Sequence, residues 1–210
     1  MNYNEIEQLN LRLFAGLNST DIRILCDCLS VTCRKFSKNQ TIFEKGTAHT
    51  HFAVTLIPER YIGMVVADTE NPVHQTDYVA DDNLVVLLVP FRKLTRQCHK
   101  VCLEHGRFIV NFIAELSRLT DALQKRMSCL TKPNTREKAL QYLRLHQEKY
   151  SSESAFEPVD GAGKIFTVPS RIEMAEYLNI ERTALSRELS KLKKEKVIDF
   201  YKEIFRIIVN

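Results

Sequence analysis

The chain has no tryptophan, and only 6 glycines and 6 prolines punctuate its 210 residues. Glycine and proline this sparse exclude collagen-like and low-complexity classes, while 44% hydrophobic residues supply the apolar mass for packed cores. Long apolar runs are missing as well. The longest, Leu84 to Pro90, falls far short of the roughly 20 residues that a bilayer-spanning helix needs, and it reads as a buried strand. The polar, acidic start from Met1 to Leu13 lacks the basic-then-apolar order of a signal peptide, which points to the cytoplasm and away from a membrane. In that reducing compartment the 6 cysteines (Cys26, Cys28, Cys33, Cys98, Cys102, Cys129) are expected to remain thiols.

A strong charge of one sign is also lacking. With 30 basic and 26 acidic side chains the net charge is only +4, too small a surplus to mark a nucleic-acid binder. Its placement is uneven. Residues 1–90 hold 7 basic and 11 acidic side chains (net −4), whereas residues 91–210 hold 23 and 15 (net +8). A polyanionic partner should therefore meet the C-terminal half.

Ser19 to Leu29 places Ile22, Leu25, Cys26 and Leu29 on one helical face, with Ser19 or Thr20 as the expected cap. From Val31 to Leu88 the pattern changes to short β-type runs: Thr41 to Phe43, Phe52 to Leu56, Asp77 to Ala80 and Leu84 to Val89. Turn residues at Lys45-Gly46, Pro58-Glu59, Glu70-Asn71-Pro72 and Asp81-Asp82-Asn83 separate them. A small antiparallel β-roll with a cupin-like layout follows. After Pro90 the period becomes helical. Ile109, Phe112, Leu116, Leu119, Leu123, Met127 and Leu130 recur every three or four residues. A helix of about thirty residues is about 45 Å long, more than one small β domain can cover, so a second copy is the expected partner along this seam.

The helix should stop near Lys132-Pro133, where proline pushes its predecessor out of the α region. A further helix from Asn134 or Thr135 to about Tyr150 carries Ala139, Leu140, Leu143 and Leu145, and Ser151 to Gly163 reads as a loop. The chain is thus an α+β protein in three parts: residues 1–95 a β-roll sensor, 96–131 a dimerisation helix, and 132–210 the remainder, with the junction near residues 130–134.

Lys164 to Asn210 is the most informative stretch. A strand, Lys164 to Val168, precedes Pro169 and the capping box Ser170-x-x-Glu173, which opens a helix with Met174, Ala175 and Leu178 facing inward. Asn179-Ile180 makes the turn. A second helix, about Glu181 to Lys194, turns Leu185, Leu189 and Leu192 inward, and Ile198 to Tyr201 with Ile204 to Val209 form a hairpin joined at Lys202-Glu203. Helix, tight turn, helix and hairpin make a winged helix-turn-helix. With the leucines inward, Arg182, Thr183, Ser186, Arg187 and Ser190 face out. Arginine pairs bidentately with guanine, so Arg182 and Arg187 are the candidates for reading bases. Lys191, Lys193, Lys194 and Lys196 better suit phosphate oxygens, and Ser170 and Arg171 add phosphate contacts at the first helix's N-terminus.

Glu173 to Leu189, continuing from Lys196 to Phe200, resembles the DNA-binding end of Crp/Fnr-type bacterial transcription regulators. The order of roll, long helix and winged helix-turn-helix is similar as well. The resemblance implies a homodimer that docks two recognition helices on a palindromic site of double-stranded DNA and acts on RNA polymerase. Thr183 stands where members often carry an acidic residue, so their half-sites do not transfer. Members that bind cyclic nucleotides share a Gly-Glu pair and a later Arg-Ser or Arg-Thr; here Gly63 precedes Met64 and the later segment reads Val73-His74-Gln75-Thr76. Cyclic AMP and GMP are not expected, and the effector is unknown.

Two weaker patterns remain. The cysteines invite comparison with iron–sulfur members or with thiol redox sensors, but Cys26 falls on a core face and Cys33 enters a strand, so ordinary buried cysteines are the plainer reading. His49 and His51, with Glu59 and His74, are similar to a cupin metal motif. They support an alternative: a metal-binding dimer, a metal or redox sensor, whose winged helix binds protein. No catalytic residue, metal or cofactor is assigned, and the chain reads as a regulator rather than an enzyme.

Overall fold

The computed structural model describes residues 3–56, 59–62, 73–94, 103–153 and 165–208. It forms two compact units, Met1–Arg118 and Leu119–Asn210.

The first unit opens with α1 (Tyr3–Gln8), a 3-10 turn (Arg12–Phe14) and α2 (Ser19–Leu29). α2 buries Ile22, Leu25, Cys26 and Leu29 as their spacing predicts. Its cap, however, is Asn18 rather than Ser19 or Thr20. The Asn18 side chain accepts the Thr20 and Asp21 N–H groups, and the Asp21 carboxylate accepts the Asn18 N–H in return, a reciprocal closure that starts the helix one residue earlier.

Among the described residues six strands follow: β1 (Thr32–Phe36), β2 (Thr41–Phe43), β3 (His51–Thr55), β4 (Arg60–Ile62), β5 (Tyr78–Val79) and β6 (Leu84–Pro90). They form an antiparallel sheet in the order β1-β6-β3-β4 and a separate β2-β5 pair. β6, the longest apolar run, lies between β1 and β3, with Val86, Leu87 and Val89 fully buried. Pro90 lacks an N–H for the ladder and closes the strand opposite His51. β1, the strand that Cys33 was expected to enter, shows no alternation because four of its five residues are exposed and two are charged, as suits an edge strand. Gly46 turns the chain before β3 with φ at +79°, a left-handed conformation open to glycine. Gly63 and Met64 lie outside the described residues, as do Cys98 and Cys102.

After α3 (Phe91–Leu94), α4 runs from Leu103 to Leu130. Phe108 is fully buried, and Ile109, Phe112, Leu116 and Leu119 are half-buried within the single chain, with the Phe112 ring 5.1 Å from Phe52. Val110, Ile113, Leu123 and Met127 stay exposed, each by more than half of its surface. Cys129, near the end of α4, is buried in the core of the second unit, which is why the division between units falls inside this helix.

The second unit contains α5 (Thr135–Glu153), β7 (Ile165–Thr167), α6 (Arg171–Leu178), α7 (Arg182–Lys194), β8 (Ile198–Tyr201) and β9 (Ile204–Ile207). α5 continues beyond Tyr150 to Glu153; residues 154–164, most of the expected loop, lie outside the described residues. The strands pair antiparallel in the order β7-β9-β8. Tyr142 and Leu143 of α5, Met174 and Leu178 of α6, and Phe166 and Phe205 of the sheet build the core. Among the described residues no helix is long and apolar enough to cross a membrane.

Candidate nucleic-acid interface

The helix-turn-helix is set by two local devices. At the start of α6 the Ser170 hydroxyl accepts the Glu173 N–H at 3.3 Å, and the Glu173 carboxylate accepts the Ser170 N–H at 2.9 Å. At its end Asn179 turns left-handed, φ 50°, and its N–H donates to the Ala175 and Glu176 carbonyls. The chain then re-enters a helix at Arg182, with Glu181 in extended backbone as the flanking residue.

α7 is divided by burial into two faces. Leu185, Leu189 and Leu192 are fully buried, each contributing about 1.5–3 kcal/mol by transfer, and this fixes the helix's rotation. Arg182, Thr183, Arg187, Ser190, Lys191 and Lys194 are then exposed, and Ser186 is half-buried. The Thr183 hydroxyl donates to the Glu181 carboxylate at 2.6 Å and the Ser190 hydroxyl to the Ser186 carbonyl at 2.9 Å. Neither Arg182 nor Arg187 is held by a hydrogen bond or ion pair among the described residues, so both guanidinium groups are available to a ligand.

Other expected contacts are held elsewhere. Ser170 is committed to the capping box. Arg171 lies over the hairpin rings, its guanidinium carbon 4.5 Å from the Phe200 ring centre and 5.9 Å from that of Phe205, and burial holds it below the usual arginine value. Lys193, though half exposed, has partners within the chain. Its ammonium donates to the Phe200 carbonyl at 2.7 Å and pairs with Asp199 at 2.8 Å, tying α7 to β8. The Lys193 bond to the Asp199 carboxylate, with one from the Phe200 N–H, holds the Asp199 carboxyl below its usual value.

Sequence reasoning missed Arg136. From α5 it reaches Glu195 at 2.6 Å and Glu188 at 3.6 Å, anchoring the outer side of α7. Only the pairing of α5 with α7 reveals it. The hairpin tip lies at Lys202-Glu203 as expected: Lys202 is left-handed at φ 53°, and Tyr201 is 72% exposed beside it.

In the first unit His49 and His74 come together, ring centres 4.3 Å apart, with Phe43 stacked on His74 and Phe91 edge-on to His49. His49 Nε2 is buried without a hydrogen-bond partner among the described residues. His51 instead meets the Thr50 hydroxyl at 2.8 Å through Nδ1, and the Glu59 carboxylate accepts the Arg12 and Leu13 N–H groups. Among the described residues no three His, Cys, Asp or Glu side chains group as a metal site. Cys26 and Cys129 are buried as expected, but Cys28 is half-buried and Cys33 exposed, because one lies off the buried stripe of α2 and the other lies on the edge strand β1.

No family model and no curated protein matches the chain. Among solved structures it is similar to the c-di-GMP-responsive global regulator CLP of Xanthomonas campestris, at 14% identity over 90% of this chain and 99% of that one, with a TM-score of 0.51. A CooA variant from Carboxydothermus hydrogenoformans matches at 14% identity over 88% of this chain and 86% of that one, TM-score 0.47. FixK2 from Bradyrhizobium japonicum matches at 16% over 84% and 92%, TM-score 0.42. The likeness to CLP shows a shared fold, which in this chain comprises an antiparallel β unit, a long helix and a winged helix-turn-helix.

Proposed function

We propose that this chain is a sequence-specific, DNA-binding transcription regulator that acts as a homodimer on a palindromic site. The observation that carries this is the split of α7: three leucines fully buried beside two arginines that nothing in the described chain engages. A helix held this way by a capped partner helix presents its first turns to the major groove, where Arg182 and Arg187 reach base edges and Thr183, Ser186 and Ser190 line the same face. Lys191 and Lys194 lie further along and meet phosphates. The second copy contacts α4 through the apolar residues left exposed there, alongside the half-buried Ile109, Phe112, Leu116 and Leu119. RNA polymerase is the partner implied by the resemblance. CLP responds to c-di-GMP by its description; for this chain no effector is assigned.

The test is a mobility-shift titration of the full chain on DNA upstream of its own operon, repeated at several salt concentrations. A selective complex whose affinity falls steeply with salt is expected. Binding that is equal on scrambled DNA, or absent, overturns the reading and favours the protein-binding alternative.

A further inference from the structure

We propose that Cys28 and His105 form a proton-transfer pair that makes Cys28 a site of oxidation by peroxides. Cys28 lies on α2 and His105 near the start of α4, 77 residues apart in the chain, and packing brings Cys28 Sγ to 4.0 Å from His105 Nδ1. His105 is 7% exposed while Cys28 is half-buried, so of the pair the cysteine has the greater access to solvent. A thiol beside an imidazole can surrender its proton to the ring, and the thiolate is the reactive nucleophile.

The other described thiols serve as internal comparisons. Cys26, on the same helix, is buried, and burial with the neighbouring Asp27 pushes its thiol up to about 12. Cys33 is the more exposed sulfur, yet its thiol is also pushed up by partial desolvation, and so is that of buried Cys129. None of these three meets an imidazole among the described residues. Exposure alone would make Cys33 react first; the His105 contact reverses that order.

The charged groups around the pair are identifiable. α2 places Asp27 beside Cys28 in sequence, and α1, packed on α2, carries Glu5 and Glu7, the latter accepting the Ser19 N–H. α3, also against α2, carries Arg92 and Lys93. On α4, Glu104 adjoins His105, and Arg107 donates to the Gly16 carbonyl.

The reaction balances with hydrogen peroxide as the oxidant. Cys28 Sγ–H passes its proton to His105 Nδ1, and the thiolate attacks one peroxide oxygen, forming the S–O bond as O–O breaks. The departing hydroxide takes the proton from the imidazolium. Sulfur is oxidised by two electrons to the sulfenic acid, peroxide is reduced by two, and water is released. This step is independent of whether the chain binds DNA.

Peptide mass spectrometry of the full chain reads the rate at which iodoacetamide labels each cysteine, and dimedone traps sulfenic acid after peroxide. We expect Cys28 to be labelled about tenfold faster than Cys33 at about pH 6, with the gap closing by about pH 9. His105→Asn should slow Cys28 about tenfold at the lower pH only, leaving the Cys33 rate unchanged. A merely structural His105 would alter exposure and hence the rate at every pH. Should the variant not fold, the unsubstituted protein still decides: Cys28 following the pH profile of Cys33, or dimedone appearing first on Cys33, overturns the proposal.

Discussion

Arg187 and Lys193 lie six residues apart on α7 and carry the same charge, yet their surroundings assign them opposite roles. Arg187→Ala removes a side chain with no partner in the described chain, so folding should be unchanged while discrimination between operator and scrambled DNA falls by about 1–3 kcal/mol. Equal loss on both DNAs would place Arg187 on phosphate. Lys193→Ala loses the Asp199 pair and the bond to the Phe200 carbonyl. Because this lysine is half exposed, the cost to stability should be under about 1 kcal/mol, seen as a small drop in Tm with selectivity intact. The histidines give a second residue-level expectation. Burial is the first cause holding His51, His74 and His146 below the usual 6.5, with Arg34, His49 and Lys149 adding to it in turn. The unfolded chain therefore binds more protons at mildly acid pH than the folded one. Stability should be intact above 6.5 and fall as the pH drops below it, well before Asp199 begins to titrate at more acid pH. Thermal unfolding across this range checks it, and His74→Phe should blunt the fall; a Tm that does not move with pH would refute the assignment.

At the scale of elements, the second unit was legible because α6 carries its own start and stop and α7 its own apolar stripe. The Ser170 capping box, the Asn179 turn and the leucines of α7 are local signals, and each stands in the structure where its spacing placed it. Ser170→Ala should therefore cost about 1 kcal/mol through loss of the α6 cap, measured by denaturant unfolding. Leu189→Ala should cost about 2–5 kcal/mol, and DNA binding should fall in step with the folded fraction. The first unit was less legible, for a different physical reason. Its strands are short and depend on partners distant in sequence, so β1, mostly exposed and charged, gave no alternation to read. The cap at Asn18 was missed because Ser19 and Thr20 have the same chemistry and only the return bond from Asp21 distinguishes them. Arg136, Cys28 and His105 act through contacts between elements, and no local pattern announces such a contact.

For the whole molecule, the exposed residues of α4 and the uneven charge bear on the same question. Val110, Ile113, Leu123 and Met127 are apolar and exposed, a poor arrangement for a lone chain in water and a natural one for a helix awaiting a second copy. The half-buried Ile109 and Phe112 already pack within the chain, so the outermost part of any dimer contact should fall one position along, on Val110 and Ile113. Under the proposed function a dimer presents two copies of α7 to one duplex, making the second contact intramolecular and raising avidity without new chemistry. Val110→Glu with Ile113→Glu should then leave each chain folded but monomeric in sedimentation velocity. Its affinity for a palindromic site should drop about a hundredfold or more, towards that for a half-site, which should itself be unchanged. A variant that still sediments as a dimer would remove α4 from the interface, and a monomer that kept full palindrome affinity would show that one recognition helix suffices.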